Sequence, residues 1–530
     1  MHGRVKVRTT EEEKARKEKE KQEKLKVFKH AMQKIWDKRK KEELDLELME
    51  LTGKVLTSNP DIYTLWNIRR EILNIFRKDM ESEGQQLVDL YDAELRLTEY
   101  CLKINPKSYC AWHQREWVLT TRSNPDWKTE LALCNKYLKF DERNFHTWDY
   151  RRFVISQCKP SLKEEFDYTT EKLLDNFSNY SAWHYRSKIL VDLHPDLEAG
   201  RPIEDEHHKH ELKMVESAAF TDPDDTSAWF YQRWLLGAVK TTVDLVVCTI
   251  SPLKTTVAFN EPVSKDYVQM TTNLLINDVS VNGEWLPCEG KKYNNVWIFK
   301  HNEIIGDNLD IKVEYNREND DKLIILCIQK NSLYIGRNNI SFQRKYSEPV
   351  IEELKKQLDS CRQLLTMEPD NKWTLLTTTF LLHCINAKHY HNEVIDILKT
   401  LQIKDKMHAG YYGDLITKWS IELQLEDDYR NEELELKVKF AEKISSLPHL
   451  HYYSFCENVN LFNQNLTSRV LSTLSVLQHC KKLSLENNNL TTLKGFPSLN
   501  LEELNLRGNK DLDMKEVEIF KQQNNYNVIF

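Results

Sequence analysis

The sequence predicts a mainly α-helical protein: an α-α superhelix of helical hairpins, interrupted by an immunoglobulin-like β-sandwich and followed by a C-terminal leucine-rich repeat domain. Three observations predict it. A repeat occurs five times between residues 59 and 236, a β-rich stretch follows from residue 241 to residue 347, and leucine–asparagine patterns recur after residue 447. The predicted domains are residues 1–240, 241–347, 348–446 and 447–530, since 530 residues exceed what one core serves.

Composition and charge exclude several classes of protein. Hydrophobic residues make up 40% of the chain and charged residues 30%, and no apolar run is long enough to span a membrane. The N-terminus lacks the apolar core of a secretory signal, which favours a cytoplasmic location. A net charge of −7 argues against general nucleic-acid binding. Eleven cysteines without a C-x-x-C pair indicate reduced thiols rather than disulfides or a zinc module.

The N-terminal segment from Glu11 to Lys41 is dense in lysine and in mixed charge. Its apolar residues recur at steps of three and four, which predicts a helix with one narrow packing face. Those residues are Leu25, Phe28, Met32, Ile35 and Trp36. A basic RNA-binding arm is the alternative.

The repeat combines Asn/Asp–Pro, Tyr, Trp and Arg at fixed positions. Its copies read NPDIYTLWNIRR from Asn59, NPKSYCAWHQRE from Asn105, DERNFHTWDYRR from Asp141, NFSNYSAWHYRS from Asn176 and DPDDTSAWFYQR from Asp222. Tryptophan follows the first residue by seven positions in every copy. We predict these five residues to be structural core positions of the repeat: Trp66, Trp112, Trp148, Trp183 and Trp229.

Each copy has features of a helix start. The leading Asn or Asp is predicted to be the N-cap and the proline the first helical residue. Tyrosine three before tryptophan and arginine three after it are predicted to share its face and to join the inter-helix core. Second helical patterns lie between the copies, so one repeat is a helix pair, and stacked pairs form a solenoid.

A degraded sixth copy, EPDNKWTLLTTTF, begins at Glu368. Its proline lies 146 residues after Pro223, and removing the 107 residues from Thr241 to Ser347 leaves 39, a spacing normal for this repeat. The solenoid is therefore predicted to be interrupted by a guest domain.

The guest domain shows β-branched, alternating segments separated by turn residues, which predict a β-sandwich. The predicted strands are 243–250, 255–259, 274–281, 296–300, 309–315 and 323–328. Cys248, Cys288 and Cys327 could form an immunoglobulin-type disulfide, but free thiols are the preferred interpretation.

Leucine repeats follow the resumed helices. Leu483-x-Leu485-x-x-Asn488 and Leu504-x-Leu506-x-x-Asn509 lie 21 residues apart, and a related pattern begins at Val459. Each is predicted to be a short strand whose asparagine side chain holds the turn behind it.

The Tyr-x-x-Trp-x-x-Arg helices resemble the repeats of protein prenyltransferase α subunits. Together with the β insert and the leucine-rich end, the chain is most similar to the branch that modifies Rab GTPases. The resemblance implies a heterodimer with a β subunit that holds the catalytic zinc. It implies transfer of geranylgeranyl from geranylgeranyl diphosphate to C-terminal cysteines of Rab GTPases presented by a Rab escort protein.

The resemblance also implies the site residues. Lys107 matches the lysine that reaches the diphosphate, and Tyr109 matches the tyrosine beside it. Asn144 and His146 match residues that line the same cavity, Asn144 for substrate binding, whereas Phe145 replaces a usual tyrosine. From the residues alone, a lysine early in a helix opposes the macrodipole and so mildly favours a functional role.

The remaining expectations concern metal binding, activity and an alternative function. His2 on a mobile tail could reach the β subunit's zinc, although a disordered tail is the simpler interpretation. We expect the chain alone to hold no metal and to be inactive, because no cysteine–histidine–carboxylate cluster is visible. The alternative function is a non-catalytic helical-repeat scaffold of the tetratricopeptide kind, which the 35- to 46-residue spacing disfavours.

Overall fold

A computed structural model describes residues 11–79, 84–197, 200–239, 242–302, 309–317, 321–440 and 442–530. The chain forms two compact units, Met1–Leu193 and His194–Phe530. Each is described by itself below.

The described part of the first unit consists of helices joined in consecutive pairs. The helices are α1 (Glu11–Lys40), α2 (Leu46–Leu56), α3 (Tyr63–Asp79), α4 (Gln85–Ile104), α5 (Tyr109–Thr121), α6 (Trp127–Phe140), α7 (Phe145–Cys158), α8 (Leu162–Asp175) and α9 (Tyr180–Leu193). Helices α2 to α9 pack as four hairpins, as the repeat predicts. The predicted N-terminal helix is present as α1. Its predicted packing face is largely wrong, because Ile35 is fully buried but Leu25, Phe28 and Trp36 are exposed.

The repeat tryptophans hold the turn in front of their own helix. In each copy the indole Nε1 donates to the backbone carbonyl six residues earlier, at 2.8 Å in Trp66 and 3.0 Å in Trp112. The same bond recurs in Trp148, Trp183 and Trp229. All five rings are buried, so they lie in the core of the hairpins.

The predicted helix starts are wrong by three residues. Although α2 ends at Leu56, before Asn59, the leading Asn or Asp of the other four copies caps the end of the preceding helix, as Asn105 does for α4. Its side chain accepts from the backbone amide two residues on, and the proline lies in the turn. The true N-caps are Ser108, Asn144 and Asp225 for three of the copies. An Asx turn uses the same acceptor chemistry as an N-cap, so composition alone does not separate the two.

The repeat arginines form buried ion pairs between hairpins. Arg115 contacts Glu130 through Nε at 2.7 Å and Nη2 at 2.6 Å, and Arg151 contacts Glu165 at 2.7 Å. Arg69 pairs in the same way with Glu94. Since these groups are almost fully buried, the pairs fix the register of neighbouring helices as well as their spacing.

The second unit contains helices that continue the repeat, one short helix within the insert and one helix in the C-terminal part. They are α10 (Asp205–Thr221), α11 (Thr226–Gly237), α12 (Lys265–Thr271), α13 (Glu348–Met367), α14 (Lys372–Asn386), α15 (His391–Lys404), α16 (Ala409–Arg430) and α17 (Met514–Gln523). Helix α13 packs on α10 and α14 on α11. The buried Gln232 side chain donates to Gln357 at 2.8 Å, and Gln357 donates to the carbonyl of Leu212 at 2.7 Å. The sixth copy therefore stacks on the fifth across the insert.

The insert is a curled antiparallel sheet. Its strands are β1 (Leu245–Ile250), β2 (Lys254–Ser264), β3 (Thr272–Ile276), β4 (Val279–Ser280), β5 (Gly283–Pro287), β6 (Tyr293–His301), β7 (Ile311–Asn316), β8 (Lys322–Lys330) and β9 (Leu333–Arg337). Hydrogen bonds connect them in the order β4-β3-β7-β8-β9-β1-β2-β6-β5. Residues from both halves, such as Val313 and Trp297, share one core, so the sheet folds over onto itself.

Two strands of the insert, β5 and β9, escaped the sequence prediction. In β9 the cause is Gly336, which weakens a strand pattern. A Cβ there would lie 2.5 Å from Ile325 and 2.8 Å from the sulfur of Cys248, so close packing requires glycine. Cys248 and Cys327 lie with sulfurs 3.5 Å apart, and all eleven cysteines are free thiols, as preferred from the sequence.

The C-terminal part is a parallel sheet of short strands in chain order. They are β10 (Glu435–Lys437), β11 (Asn458–Asn460), β12 (Lys482–Ser484), β13 (Glu503–Asn505) and β14 (Asn527–Ile529). Strand β10 precedes residue 447 and pairs with β11, so the helices end earlier than predicted, at Arg430. Strand β10 gives a weak signal because it is three residues long and one of them, Leu436, is buried.

Asparagine side chains tie successive turns of this sheet together. Asn488 donates to the carbonyls of Leu461 and Leu485 and accepts from the amide of Leu466. Asn509 makes the equivalent three bonds one turn later. Both side chains are buried with their polar groups satisfied, as predicted.

We expect the second unit to lose stability in mild acid. Burial lowers the pKa of His383 to about 4 and of His451 and His479 to about 3. Unfolded histidine keeps a pKa near 6.5, so below that pH the unfolded state binds more protons and stability falls until the folded pKa values are reached. At pH 5 each group contributes a loss of about 2 kcal/mol relative to pH 7.

Urea unfolding at pH 7 and pH 5 measures this loss. His479→Gln keeps a nitrogen near Thr256, which His479 contacts at 2.9 Å, but does not titrate. It should recover about 2 kcal/mol of the pH-dependent loss. His389→Gln, at an exposed histidine, is the control and should recover none. An equal pH dependence in both variants would contradict the prediction.

Candidate functional site

The site begins with the turn that carries Lys107, between α4 and α5. The side-chain oxygen of Asn105 accepts from the Lys107 amide at 3.1 Å. Asp61, from the first repeat, accepts from Ser108 Oγ at 2.6 Å and from Asn105 Nδ2 at 3.0 Å. The turn is thus fixed at both ends while the Lys107 side chain stays exposed.

The equivalent turn of the third repeat is tied to this one. Asn144 caps α7, accepting from the amide of His146 at 3.1 Å, and its Nδ2 donates to the carbonyl of Pro106 at 3.2 Å. Its side chain is buried and both of its polar groups are bonded. The geometry gives Asn144 a positioning role between the two turns, and direct contact with a substrate stays a prediction.

The rings of Tyr109, Phe145 and His146 form one aromatic cluster. The Tyr109 and His146 centroids lie 4.3 Å apart, edge to face, and Phe145 stacks on His146 at 4.0 Å. His146 is buried, whereas Tyr109 is 67% exposed. The cluster therefore presents a phenol on its outer side and holds the imidazole beneath it.

Burial lowers the pKa of His146 below its ordinary value, and the positive charge of Lys107 lowers it further. The imidazole is therefore neutral at pH 7, able to donate through one nitrogen and accept through the other. Lys107 then supplies the positive charge of the cluster. Such a group is suited to an anion bound beside Lys107 and Tyr109.

The structure brings Lys107, Tyr109, Asn144 and His146 together, although they come from different repeats. The tyrosine three residues before the repeat tryptophan is predicted to lie in the core. It is instead exposed, because it is the first residue of its helix. Exposed aromatic side chains at this position are Tyr63, Tyr109, Phe145 and Tyr180. Asp61 and Ser108, which fix the Lys107 turn, were missed. Their recurrence as polar residues two and three places after the leading Asn was the available signal.

Side chains that could hold a metal lie outside the candidate site. Within the described residues, no group of three potential metal-ligand side chains forms at the candidate site itself. A group that the sequence analysis did not identify, His194, Glu204 and His207, lies together in the second unit. His2 lies outside the described residues.

The protein prenyltransferase alpha subunit repeat matches residues 45–76, 91–122, 127–158, 162–193 and 208–239, one hairpin each. Geranylgeranyl transferase type-2 subunit alpha of Sus scrofa is 36% identical, covering 96% of this chain and 92% of the relative. The Homo sapiens protein of the same name is 35% identical with the same coverage. The Saccharomyces cerevisiae one is 30% identical over 64% of this chain and 97% of the relative.

The helical hairpins, each matched by one copy of this repeat, define a protein prenyltransferase α subunit. The chain belongs to the family of geranylgeranyl transferase type-2 α subunits. Within the described residues, none of the helices has the length and apolar character needed to cross a membrane.

Proposed function

We propose that this chain is the α subunit of a heterodimer that transfers geranylgeranyl from geranylgeranyl diphosphate to C-terminal cysteines of Rab GTPases presented by a Rab escort protein. The observation that carries the proposal is the cluster of Lys107, Tyr109 and His146 on adjoining turns of the second and third repeats, in a chain of this family. The non-catalytic scaffold is the alternative.

The cluster suits departure of a diphosphate. As the bond between the prenyl carbon and the diphosphate oxygen breaks, negative charge gathers on the leaving group. An ammonium group and a phenol placed against that oxygen stabilise the transition state more than the ground state. The bonded turns around Lys107 keep its backbone fixed, which limits the ordering that binding requires.

The β subunit is proposed to cover the exposed aromatic side chains of the first unit and to hold the zinc. Tyr63, Tyr109 and Tyr180 are each more than half exposed, and Phe145 is similar. A row of exposed aromatics is characteristic of an interaction surface. The nucleophile would be a cysteine thiolate of the Rab substrate, activated by the zinc of the β subunit. This chain would contribute the groups that face the diphosphate.

We further propose that the hairpins form an α-α superhelix, that the curled sheet is an immunoglobulin-like domain and that the parallel sheet is a leucine-rich repeat domain. The core shared by the two halves of the curled sheet supports the immunoglobulin-like assignment. The turns joined by asparagine side chains support the leucine-rich repeat assignment. About a third of this chain has no counterpart in the Saccharomyces cerevisiae relative, so these additions are proposed to serve recognition rather than chemistry. We also propose a cytoplasmic location.

Reconstitution tests the function. The chain, a type-2 β subunit, a Rab GTPase, an escort protein and labelled geranylgeranyl diphosphate should give a prenylated Rab protein. Omitting either subunit should abolish the label, because neither chain alone contains the whole site. Full labelling without this chain would favour the scaffold alternative.

The hypothesis that His2 reaches the zinc is tested separately in the same heterodimer. Zinc-edge absorption spectra of the wild type and His2→Ala should differ if His2 is a ligand. An unchanged zinc environment would remove it from the site.

A further inference from the structure

We propose that His194, Glu204 and His207 form a binding site for a divalent transition metal, of the zinc type, on the second unit of this chain. The ligand atoms of the three side chains all lie within 4.8 Å of one another. The site is independent of the prenyl-transfer chemistry and of the zinc assigned to the β subunit.

The spacing of the Glu204 and His207 donor atoms fits a tetrahedral metal. Two ligands that are each about 2.1 Å from zinc lie about 3.4 Å apart. Glu204 Oε2 and His207 Nδ1 are 3.2 Å apart, and the His194 and His207 rings stack with centroids 3.4 Å apart. The rings are nearly parallel, at 13°, so metal binding requires them to tilt until their lone pairs converge.

The backbone already brings the ligands together. Glu204 and His207 are three residues apart at the start of α10, where Glu204 is the N-cap, so both side chains emerge on one side. The Glu204 amide donates to the carbonyl of His194 at 2.9 Å, which joins the two ends of the loop between them. The ligands are therefore gathered before a metal arrives, and binding has little chain ordering to offset it.

A second set of bonds braces the same loop. Asp196 and Arg201 exchange backbone hydrogen bonds of 3.0 and 2.9 Å, and the guanidinium of Arg201 contacts the carboxylates of Asp196 and Asp205. These two carboxylates are therefore engaged by Arg201. Glu204 is the exposed carboxylate left at the cluster, paired in the structure with His207.

The ligand set indicates the class of metal. Two imidazoles and one carboxylate favour zinc, copper or nickel over magnesium and calcium, which prefer oxygen ligands. Three protein ligands leave a fourth position for water or for a donor from another molecule. Zn²⁺ bound here would retain a net charge of about +1 after the Glu204 carboxylate is counted.

Cobalt titration of the full chain, purified without its partner subunit and in reducing buffer, tests the proposal. Co²⁺ should give the visible bands of a tetrahedral nitrogen–oxygen site without a thiolate charge-transfer band, and Zn²⁺ should displace it in one equivalent. His194→Ala and His207→Ala should each weaken Zn²⁺ binding by at least ~100-fold, since even outer-shell changes cost 10- to 100-fold.

The control is His210→Ala, which removes an exposed histidine three residues further along the same helix and should bind Zn²⁺ like the wild type. Glu204→Gln, at an exposed position, is a second ligand variant in which Zn²⁺ affinity can be measured if a histidine variant unfolds. Circular dichroism reports on the folding of each variant. Wild-type protein without cobalt bands, or equal Zn²⁺ affinity in the wild type and Glu204→Gln, would overturn the proposal. A thiolate band lost on cysteine alkylation would assign the metal to cysteines instead and overturn it as well.

Discussion

Lys107→Ala is expected to slow prenyl transfer by the heterodimer on the order of 100-fold, with assembly intact. Loss of one preorganised donor to a developing negative charge costs about 10²- to 10³-fold in kcat. The Lys107 side chain is exposed and its backbone is held by Asn105, so the substitution removes charge without removing packing. Single-turnover transfer of labelled geranylgeranyl to a Rab GTPase measures the effect on the chemical step.

Two further variants separate charge from structure. Lys107→Arg keeps a positive charge with a different shape, and it should retain more activity than the alanine variant. Lys139→Ala removes another exposed lysine, near the end of α6, and should transfer at the wild-type rate. A normal single-turnover rate in Lys107→Ala would remove Lys107 from the site, whatever the result with Lys107→Arg.

Loss of Lys107 should also leave a trace in the titration of His146. Its positive charge contributes to the lowered pKa of His146, with burial as the larger cause. The alanine variant should therefore show a smaller lowering of that pKa, measured by NMR of the imidazole protons. This readout reports proximity of the two groups independently of any catalytic effect.

The repeat was predictable because its side chains are used locally. Trp66 and its counterparts bond to a carbonyl six residues earlier in the same repeat, so the requirement is visible at a fixed spacing. The strand pattern of the insert was also readable where residues alternate. Strand β9 could not be predicted in this way, because the glycine at position 336 is required by close contacts with Ile325 and Cys248 on other strands.

The candidate site was predictable only with help from the resemblance. Nothing local to Lys107 reveals that Asp61 braces its turn or that Asn144 joins that turn to the next one. The exposure of Tyr109 was likewise hidden, since its spacing from Trp112 is the same as that of a core residue. The His194–Glu204–His207 cluster was overlooked because His194 lies ten residues before Glu204 and 13 before His207, and the loop between them brings the side chains together.

Arg115→Ala is expected to destabilise the chain by about 3–5 kcal/mol, the cost of breaking a buried ion pair by removing one partner. Arg115 and Glu130 are both nearly inaccessible, and Arg115 also donates to the carbonyl of Leu95 at 2.8 Å and to Thr98 at 3.1 Å. Its loss leaves the Glu130 carboxylate buried, with the neutral hydroxyl of Tyr150 donating to it at 2.9 Å. Urea unfolding of the full chain measures the difference in free energy.

The matched control is Arg152→Ala, whose partner Asp149 lies at 2.8 Å on the exposed surface of α7. An exposed pair contributes about 0–1 kcal/mol, so this variant should unfold close to the wild type. Adding Glu130→Gln to Arg115→Ala removes the uncompensated charge and should recover about 1–2 kcal/mol. Equal destabilisation by Arg115→Ala and Arg152→Ala would contradict the prediction, because it would show that the buried ion pair contributes no more to stability than the exposed one. A double variant no more stable than Arg115→Ala would instead assign the loss to packing of the Arg115 side chain against its neighbours.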